Sequence, residues 1–150
     1  FDGPLLLSGS ISTGDALHEA LAIGADLGYV GSPFIATKEA NAAIGYKDMI
    51  VESSADDIVY SSLFTGVSGN YLKGSIENAG MNPDDLPEGE LSTMNFGEKR
   101  DKPKTWKSIW GSGQGIGAVK EIVATALLVE RMKREYLVAQ ARLDARLSGR

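Results

Sequence analysis

Cysteine is absent from the 150 residues. That excludes a disulfide framework and thiolate metal ligands, and it suits a reducing compartment, here expected to be the cytoplasm. No run of about 18 apolar residues occurs, so a membrane-spanning helix is not expected. The first residues, Phe1-Asp2-Gly3-Pro4, have no basic stretch of the kind that opens a signal peptide. The net charge of −5 argues against nucleic acid as a partner. Histidine occurs once, at His18, in mid-helix beside apolar residues, and is read as a surface or boundary residue rather than a catalytic one. The phosphate-loop pattern G-x-x-x-x-G-K-[ST] and the dinucleotide pattern G-x-G-x-x-G are both missing. There is no convincing internal repeat.

What is present suits one domain with a core, 43% of the residues being hydrophobic. The charge is uneven: residues 130–150 carry six Lys/Arg against three Asp/Glu, so this tail is +3 and the rest −8. The chain is organised around residues 4–34. Pro4-Leu5-Leu6-Leu7-Ser8 reads as a strand running into Gly9-Ser10-Ile11-Ser12. Residues 13–23 have helical spacing, with Ala16, Leu17, Ala20, Leu21 and Ile23 near one face, Ser12 or Thr13 as N-cap, and Gly24 as C-cap. Residues 27–30 form a second strand ending in Gly31-Ser32-Pro33-Phe34. Two neighbouring strands joined by one helix are parallel, so both Gly-Ser turns open on one edge. Bare N–H groups and hydroxyls gathered there make an anion site, most often for phosphate. A lone pair of parallel strands cannot cover both its faces. The chain begins at Phe1 with a strand almost at once, and it is expected to be the C-terminal portion of a larger α/β domain.

Further on, residues 35–44 read as a short helix, with Thr37 a candidate cap and its N-terminus aimed at the phosphate. Gly45 breaks it. Residues 46–53 form another helix with Met49 and Ile50 buried. Ser54-Ala55-Asp56-Asp57 is a turn, and residues 58–64 are a strand ending at Thr65-Gly66. Asn70 is expected to cap a helix over residues 71–79. Residues 81–104 hold three of the five prolines and read as a long loop. Lys99, Arg100, Lys102, Lys104 and Lys107 form a basic cluster there, read as solvated charge. Residues 106–117 then hold both tryptophans and four glycines. Gly-rich backbone beside indoles and a Gln amide suits either a planar ligand or a tight turn. From residue 116 the pattern is helical to 147, with Val119, Ile122, Val123 and Ala126 as one stripe, continued by Met132, Tyr136, Ala139, Leu143 and Leu147. A helix that long would span about 45 Å, so a break is expected near Ala124-Thr125, or an end that packs on a partner.

Four motifs in order resemble the nitronate monooxygenase (2-nitropropane dioxygenase) family. Gly9-Ser10-Ile11 resembles its Gly-Gly-Ile turn. Val30-Gly31-Ser32-Pro33-Phe34 resembles its Met-Gly-Thr-x-Phe. Phe64-Thr65-Gly66 with Tyr71-Leu72-Lys73 resembles the segment after its barrel, and Ser112-Gly113-Gln114-Gly115-Ile116-Gly117 resembles its Ala-Gly-Gln-Gly-x-Gly box. The resemblance implies an α/β fold: the C-terminal part of an FMN-dependent TIM (β/α)8 barrel, its last two parallel strands followed by a largely helical segment. Residues 1–55 would be the last βα units, and residues 56–150 the helical segment with a long loop at 81–105 and a long terminal helix. It also implies that FMN is the cofactor, its phosphate lying between Gly9-Ser10 and Gly31-Ser32, with Tyr29 and Val30 lining the approach and Gly113 and Gln114 near the flavin or closing the substrate side. Ser10 stands where the family has a second Gly, Ser32 where it has Thr, and Pro33 where a basic residue is frequent. The family's catalytic His belongs to a His-x-Gly-Gly-type motif that is missing here, so no residue of this chain is expected to be catalytic and the chain alone is expected to be inactive.

By the same resemblance, an alkyl nitronate and O2 would be the substrates, giving a carbonyl compound and nitrite. The missing N-terminal part of the barrel would be a partner. Use of NAD(P)H and a homo-oligomer stay open, as do two rivals: an NAD(P)H-dependent flavin reductase of the same barrel type, acting on a quinone or an enoyl-acyl carrier, and a non-catalytic interaction module.

Overall fold

The computed structural model describes residues 2–87 and 108–149. Strand β1 (Leu6–Ser8) and strand β2 (Leu27–Tyr29) pair in parallel, Leu6 opposite Leu27 and Ser8 opposite Tyr29. The pair is zipped at its start by Asp26: its carboxylate accepts from Leu5 N–H at 2.7 Å, and its own N–H donates to Leu5 O at 2.9 Å. Helix α1 (Gly14–Ala22) connects the two strands. Thr13 is its N-cap, the hydroxyl accepting from Ala16 N–H at 3.2 Å, with Asp15 in the first turn. Gly24, at φ +109°, turns the chain back towards β2.

Gly28 faces the helix, because a Cβ there would lie 2.3 Å from Leu17 Cδ1. Alternation along a strand then sends Leu6, Ser8, Leu27 and Tyr29 to the other face. No described residue covers that face: Leu6 is 50% exposed, Leu27 53% and Tyr29 60%.

The helix expected over residues 35–44 does not form. A single turn, α2 (Ser32–Ile35), follows the second Gly-Ser turn. The Thr37 hydroxyl donates to Phe34 O at 2.8 Å and ends it. Thr37 then pairs in parallel with Val123, and Lys38 N–H donates to Val123 O at 2.9 Å. The alanine-rich composition favours helix, but this backbone is used by a partner 86 residues away in sequence, and the tertiary pairing prevails. Lys47, buried, fixes the stretch from the other side by donating to Thr37 O at 2.7 Å. Lys47 lies on α3 (Ile44–Glu52), which starts ahead of Gly45 instead of after it. Ile50 of this helix is buried as expected, and Met49 packs against the same cluster, half-buried.

Ser54 and Asp57 form a reciprocal capping box around a 3-10 turn, Ala55–Asp57. Strand β3 (Ile58–Ser61) follows and stops before Phe64. The helix expected from residue 71 begins later. Asn70, Tyr71 and Leu72 belong to β4 (Gly69–Leu72), antiparallel to β3, and α4 spans only Lys73–Asn78. Asn70 is therefore a strand residue and not a helix cap. The reason is burial: Tyr71 and Leu72 fill two hydrophobic clusters, one with Ile76 and Ile109, the other with Ala36, Ile50, Ile116 and Val119. A hairpin reaches both at once, through the Thr65-Gly66 turn with Gly66 at φ +78°.

The basic cluster at Lys99, Arg100, Lys102, Lys104 and Lys107 lies outside the described residues. The Gly-rich stretch runs along the free edge of β4, where Leu72 N–H donates to Trp110 O at 2.8 Å and Ser112 N–H donates to Asn70 O at 3.1 Å. It closes as a 3-10 turn, Gln114–Ala118. Val119 to Val123 are not helical, so the first expected stripe does not exist as a helix face; Val119 is buried in the core and Val123 pairs with Thr37. The terminal helix α5 (Thr125–Leu147) begins at the expected break. At 23 residues it is about 35 Å long. Met132 and Ala139 are buried against α1, whereas Leu143 and Leu147 are exposed. Among the described residues, no helix is long and apolar enough to cross a membrane.

Helix α1 sets its first turn against the middle of α5. A Cβ at Gly14 would lie 2.0 Å from Met132 O, so only glycine fits at that crossing. Glu135 of α5 accepts from Gly14 N–H at 2.8 Å, and Glu39 accepts from Thr125 N–H at 2.8 Å. Each helix thus has an N-terminal N–H satisfied by a carboxylate from elsewhere in the chain.

Candidate functional site

The C-terminal ends of β1 and β2 border a cavity of about 250 Å³. Ser8, Gly9, Ser10, Ile11 and Ser12 line it after β1, Tyr29, Gly31 and Ser32 after β2, and Asn70, Gly113 and Gly115 close the far side. The first turn is made by two successive left-handed residues, Gly9 at φ +104° and Ser10 at φ +54°. Glycine adopts this region freely; a serine there costs on the order of 1 kcal/mol. A Cβ added at Gly9 or at Gly31 would meet no atom within 4 Å, so both turns present bare backbone to open space.

The Gly-rich stretch braces these turns. Gly113 N–H donates to Ser32 Oγ at 2.9 Å, which leaves the Ser32 hydroxyl proton for another acceptor. Gly115 lies against the first turn so closely that a Cβ would come within 2.5 Å of Ser12 Oγ and 2.9 Å of Ser10 O. The stretch is itself anchored upstream. Tyr46 stacks on Trp110, ring centroids 5.1 Å apart and 12° between planes, and its hydroxyl donates to Gly111 O. Burial holds the Tyr46 phenol above its ordinary pKa of 10.0, so it stays a neutral donor. Ser75 Oγ accepts from Trp110 N–H at 3.0 Å and donates to Leu72 O at 2.7 Å.

Among the described residues, no charged side chain lines the cavity. Its polar groups are hydroxyls, backbone amides and one carboxamide. This donor set suits an oxyanion held by several neutral hydrogen bonds, as in backbone phosphate sites. A phosphate ester is small enough for the cavity, and the two glycines leave the room that side chains would fill.

Residues 1–135 match the nitronate monooxygenase family. The chain belongs to the nitronate monooxygenase family. Among curated relatives, a probable nitronate monooxygenase from Staphylococcus saprophyticus is 26% identical over 137 residues, covering 87% of this chain and 38% of that protein. Among solved structures, the FabK M276A mutant from Thermotoga maritima superposes with a TM-score of 0.69 at 22% identity, over 97% of this chain and 46% of its own. A nitroalkane oxidase from Streptomyces ansochromogenes superposes with a TM-score of 0.70 at 20% identity, over 95% and 42%. The chain therefore spans less than half the length of each of these proteins. Its fold is α/β, that of the C-terminal part of a TIM (β/α)8 barrel, with β1 and β2 as parallel barrel strands.

Of the residues singled out from the sequence, Gly9, Ser10, Tyr29, Gly31, Ser32 and Gly113 all line the cavity. Val30 is half-buried and Gln114 is exposed; neither is a lining residue. Gln114 turns its amide to Asn70, with Asn70 Nδ2 to Gln114 Oε1 at 3.2 Å and Gln114 Nε2 to Asn70 Oδ1 at 3.4 Å. Ser12, Asn70 and Gly115 were not singled out. Ser12 continues the Gly-Ser turn and was within reach of the same reasoning, whereas Asn70 arrives through the unexpected hairpin. His18 lies elsewhere, edge-on to Tyr136 of α5 at 5.3 Å.

Proposed function

We propose that this chain carries the phosphate-binding part of an FMN-dependent, nitronate monooxygenase-type oxidoreductase. The observation that carries the reading is the uncharged cavity at two parallel strand ends, where barrel proteins hold cofactor phosphates. Gly9, Ser10, Gly31 and Ser32 would hold the phosphate, Ser32 with its lone pair already engaged by Gly113 N–H and its proton free to donate. Tyr29, exposed on the uncovered sheet face, would line the approach. Val30 sets the strand end beneath it, and Gly113 and Gln114 belong to the brace that holds the two turns in register. When bound, FMN supplies the redox chemistry, taking electrons from an alkyl nitronate and passing them to O2, with a carbonyl compound and nitrite as products. This chain binds and orients; no residue of it is given a proton-transfer role.

Residues 1–55 form the barrel part of this reading and residues 56–150 the bracing part. The uncovered face of Leu6, Leu27 and Tyr29 marks where the other barrel strands would pack, since parallel sheets are covered on both faces.

The test is a titration of the chain with FMN and with riboflavin, followed by flavin fluorescence. FMN is expected to bind at least about tenfold tighter, because riboflavin offers no anion to the cradle. Equal affinity for the two overturns the cradle. Turnover is assayed in the protein that carries the complete barrel, with a nitronate and O2 against NADH and a quinone. Rapid reduction by NADH without nitronate turnover overturns the monooxygenase reading in favour of a reductase.

A further inference from the structure

We infer that Asn70 is a direct ligand-binding residue of this site, and that Gln114 is its positioning residue. The inference rests on the cradle reading above and adds a group to it that lies on neither barrel strand.

Asn70 lines the cavity and Gln114 does not. Asn70 has its backbone fixed twice, by pairing with Tyr60 across β3 and β4 and by accepting from Ser112 N–H at 3.1 Å. Its side chain and that of Gln114 bond reciprocally, at 3.2 and 3.4 Å. A cyclic carboxamide pair of this kind uses one N–H and one carbonyl lone pair from each partner. It orients Asn70 and leaves that residue's second N–H with no acceptor among the described residues, at the rim of a cavity also lined by Ser10, Ser12 and Ser32. A free, oriented N–H beside Ser10, Ser12 and Ser32 fits an anionic oxygen. A carboxylate in its place would present only lone pairs to that oxygen.

The probes are FMN, riboflavin and inorganic phosphate, added to the full chain labelled with 15N. The Asn70 carboxamide resonances, identified by their loss in Asn70→Asp, are expected to shift with FMN and with phosphate and to stay unmoved with riboflavin. Asn70→Asp is expected to weaken FMN binding about tenfold or more. Gln114→Leu is expected to weaken it about two- to fivefold and to broaden the Asn70 carboxamide signal, a signature that loss of packing alone does not produce. If Asn70→Asp does not fold, the resonance titration of the parent chain, with Asn70 assigned through Asn70→Ser, decides.

Asn70 resonances that FMN leaves unmoved, or that riboflavin moves equally, overturn the inference. So does an Asn70→Asp protein that binds FMN within twofold of the parent while Ser32→Ala binds it weakly. If neither substitution weakens FMN binding, the cradle reading fails together with the inference.

Discussion

The described residues form two small sheets, and they are stabilised differently. The antiparallel pair β3 and β4 is self-sufficient: Leu72 is fully buried, Tyr71 nearly so, and the free edge of β4 is covered by residues 110–112. The parallel pair β1 and β2 is covered by α1 on one side and, among the described residues, by nothing on the other. The candidate site lies on the C-terminal edge of the uncovered pair and is braced by a stretch that belongs to the covered one. Rigidity at the site is therefore borrowed: hydrogen bonds and close backbone contact from residues 111–115 hold turns whose own strands are only half packed.

Five substitutions sharpen or break this contrast. Leu72→Ala removes a side chain at the centre of the larger core cluster and is expected to cost about 4 kcal/mol in denaturant unfolding. Leu27→Ala, on the uncovered face, is expected to cost less than about 1 kcal/mol in this chain; costs of similar size at the two positions would break the contrast. Gly14→Ala drives a Cβ into Met132 O and the Tyr136 N–H, both backbone groups, and is expected to cost about 3 kcal/mol by prying α1 from α5. A thermal melt that leaves this variant within a degree or two of the parent would mean that the crossing is loose.

The third effect is a pH dependence. Thr125 N–H, and then its hydroxyl, hold the Glu39 carboxyl below its ordinary value of 4.5. A depressed folded-state pKa contributes stability above the unfolded value, and that contribution is lost as pH falls through the lower folded value. Ser54 N–H does the same for Asp57, below 3.8. Unfolding followed from pH 6 to about pH 3 is expected to show stability falling below roughly 4.5, and Glu39→Gln is expected to flatten part of that fall. An unchanged profile would remove Glu39 as the cap of α5. The smallest effect belongs to Arg142→Ala. The Arg142 and Asp15 ion pair is largely exposed, so its loss is expected to cost about 0.5 kcal/mol, and less in high salt.

Much of the cradle was legible from residue order alone. A strand followed by Gly-Ser, a helix of about ten residues and a second strand followed by Gly-Ser leaves few arrangements: local hydrogen bonding sets each element, and chain connectivity makes the strands parallel. The box at residues 112–117 was legible as a motif but not as a brace, because its contacts with the two turns are with residues 81 and more positions away, such as Gly113 with Ser32. The two largest misreadings have one cause. Residues 35–44 and residues 71–72 have local preferences that favour helix, and in both places a distant strand claims the backbone first, Val123 for Thr37 and β3 for Tyr71. Asn70 changes with them, from an outlying helix cap to a group at the cavity.

By itself, the sequence determined the parallel β1–α1–β2 unit and the two bare turns, narrowed the helix cap to Ser12 or Thr13, and offered a break near Ala124-Thr125. Each depends on groups within a few residues of one another, or on connectivity. Only the tertiary structure decided that Gly113 and Gly115 seat against those turns and that Asn70 joins them. Those facts depend on which distant surfaces meet, and no local preference encodes a meeting between residues so far apart in the chain.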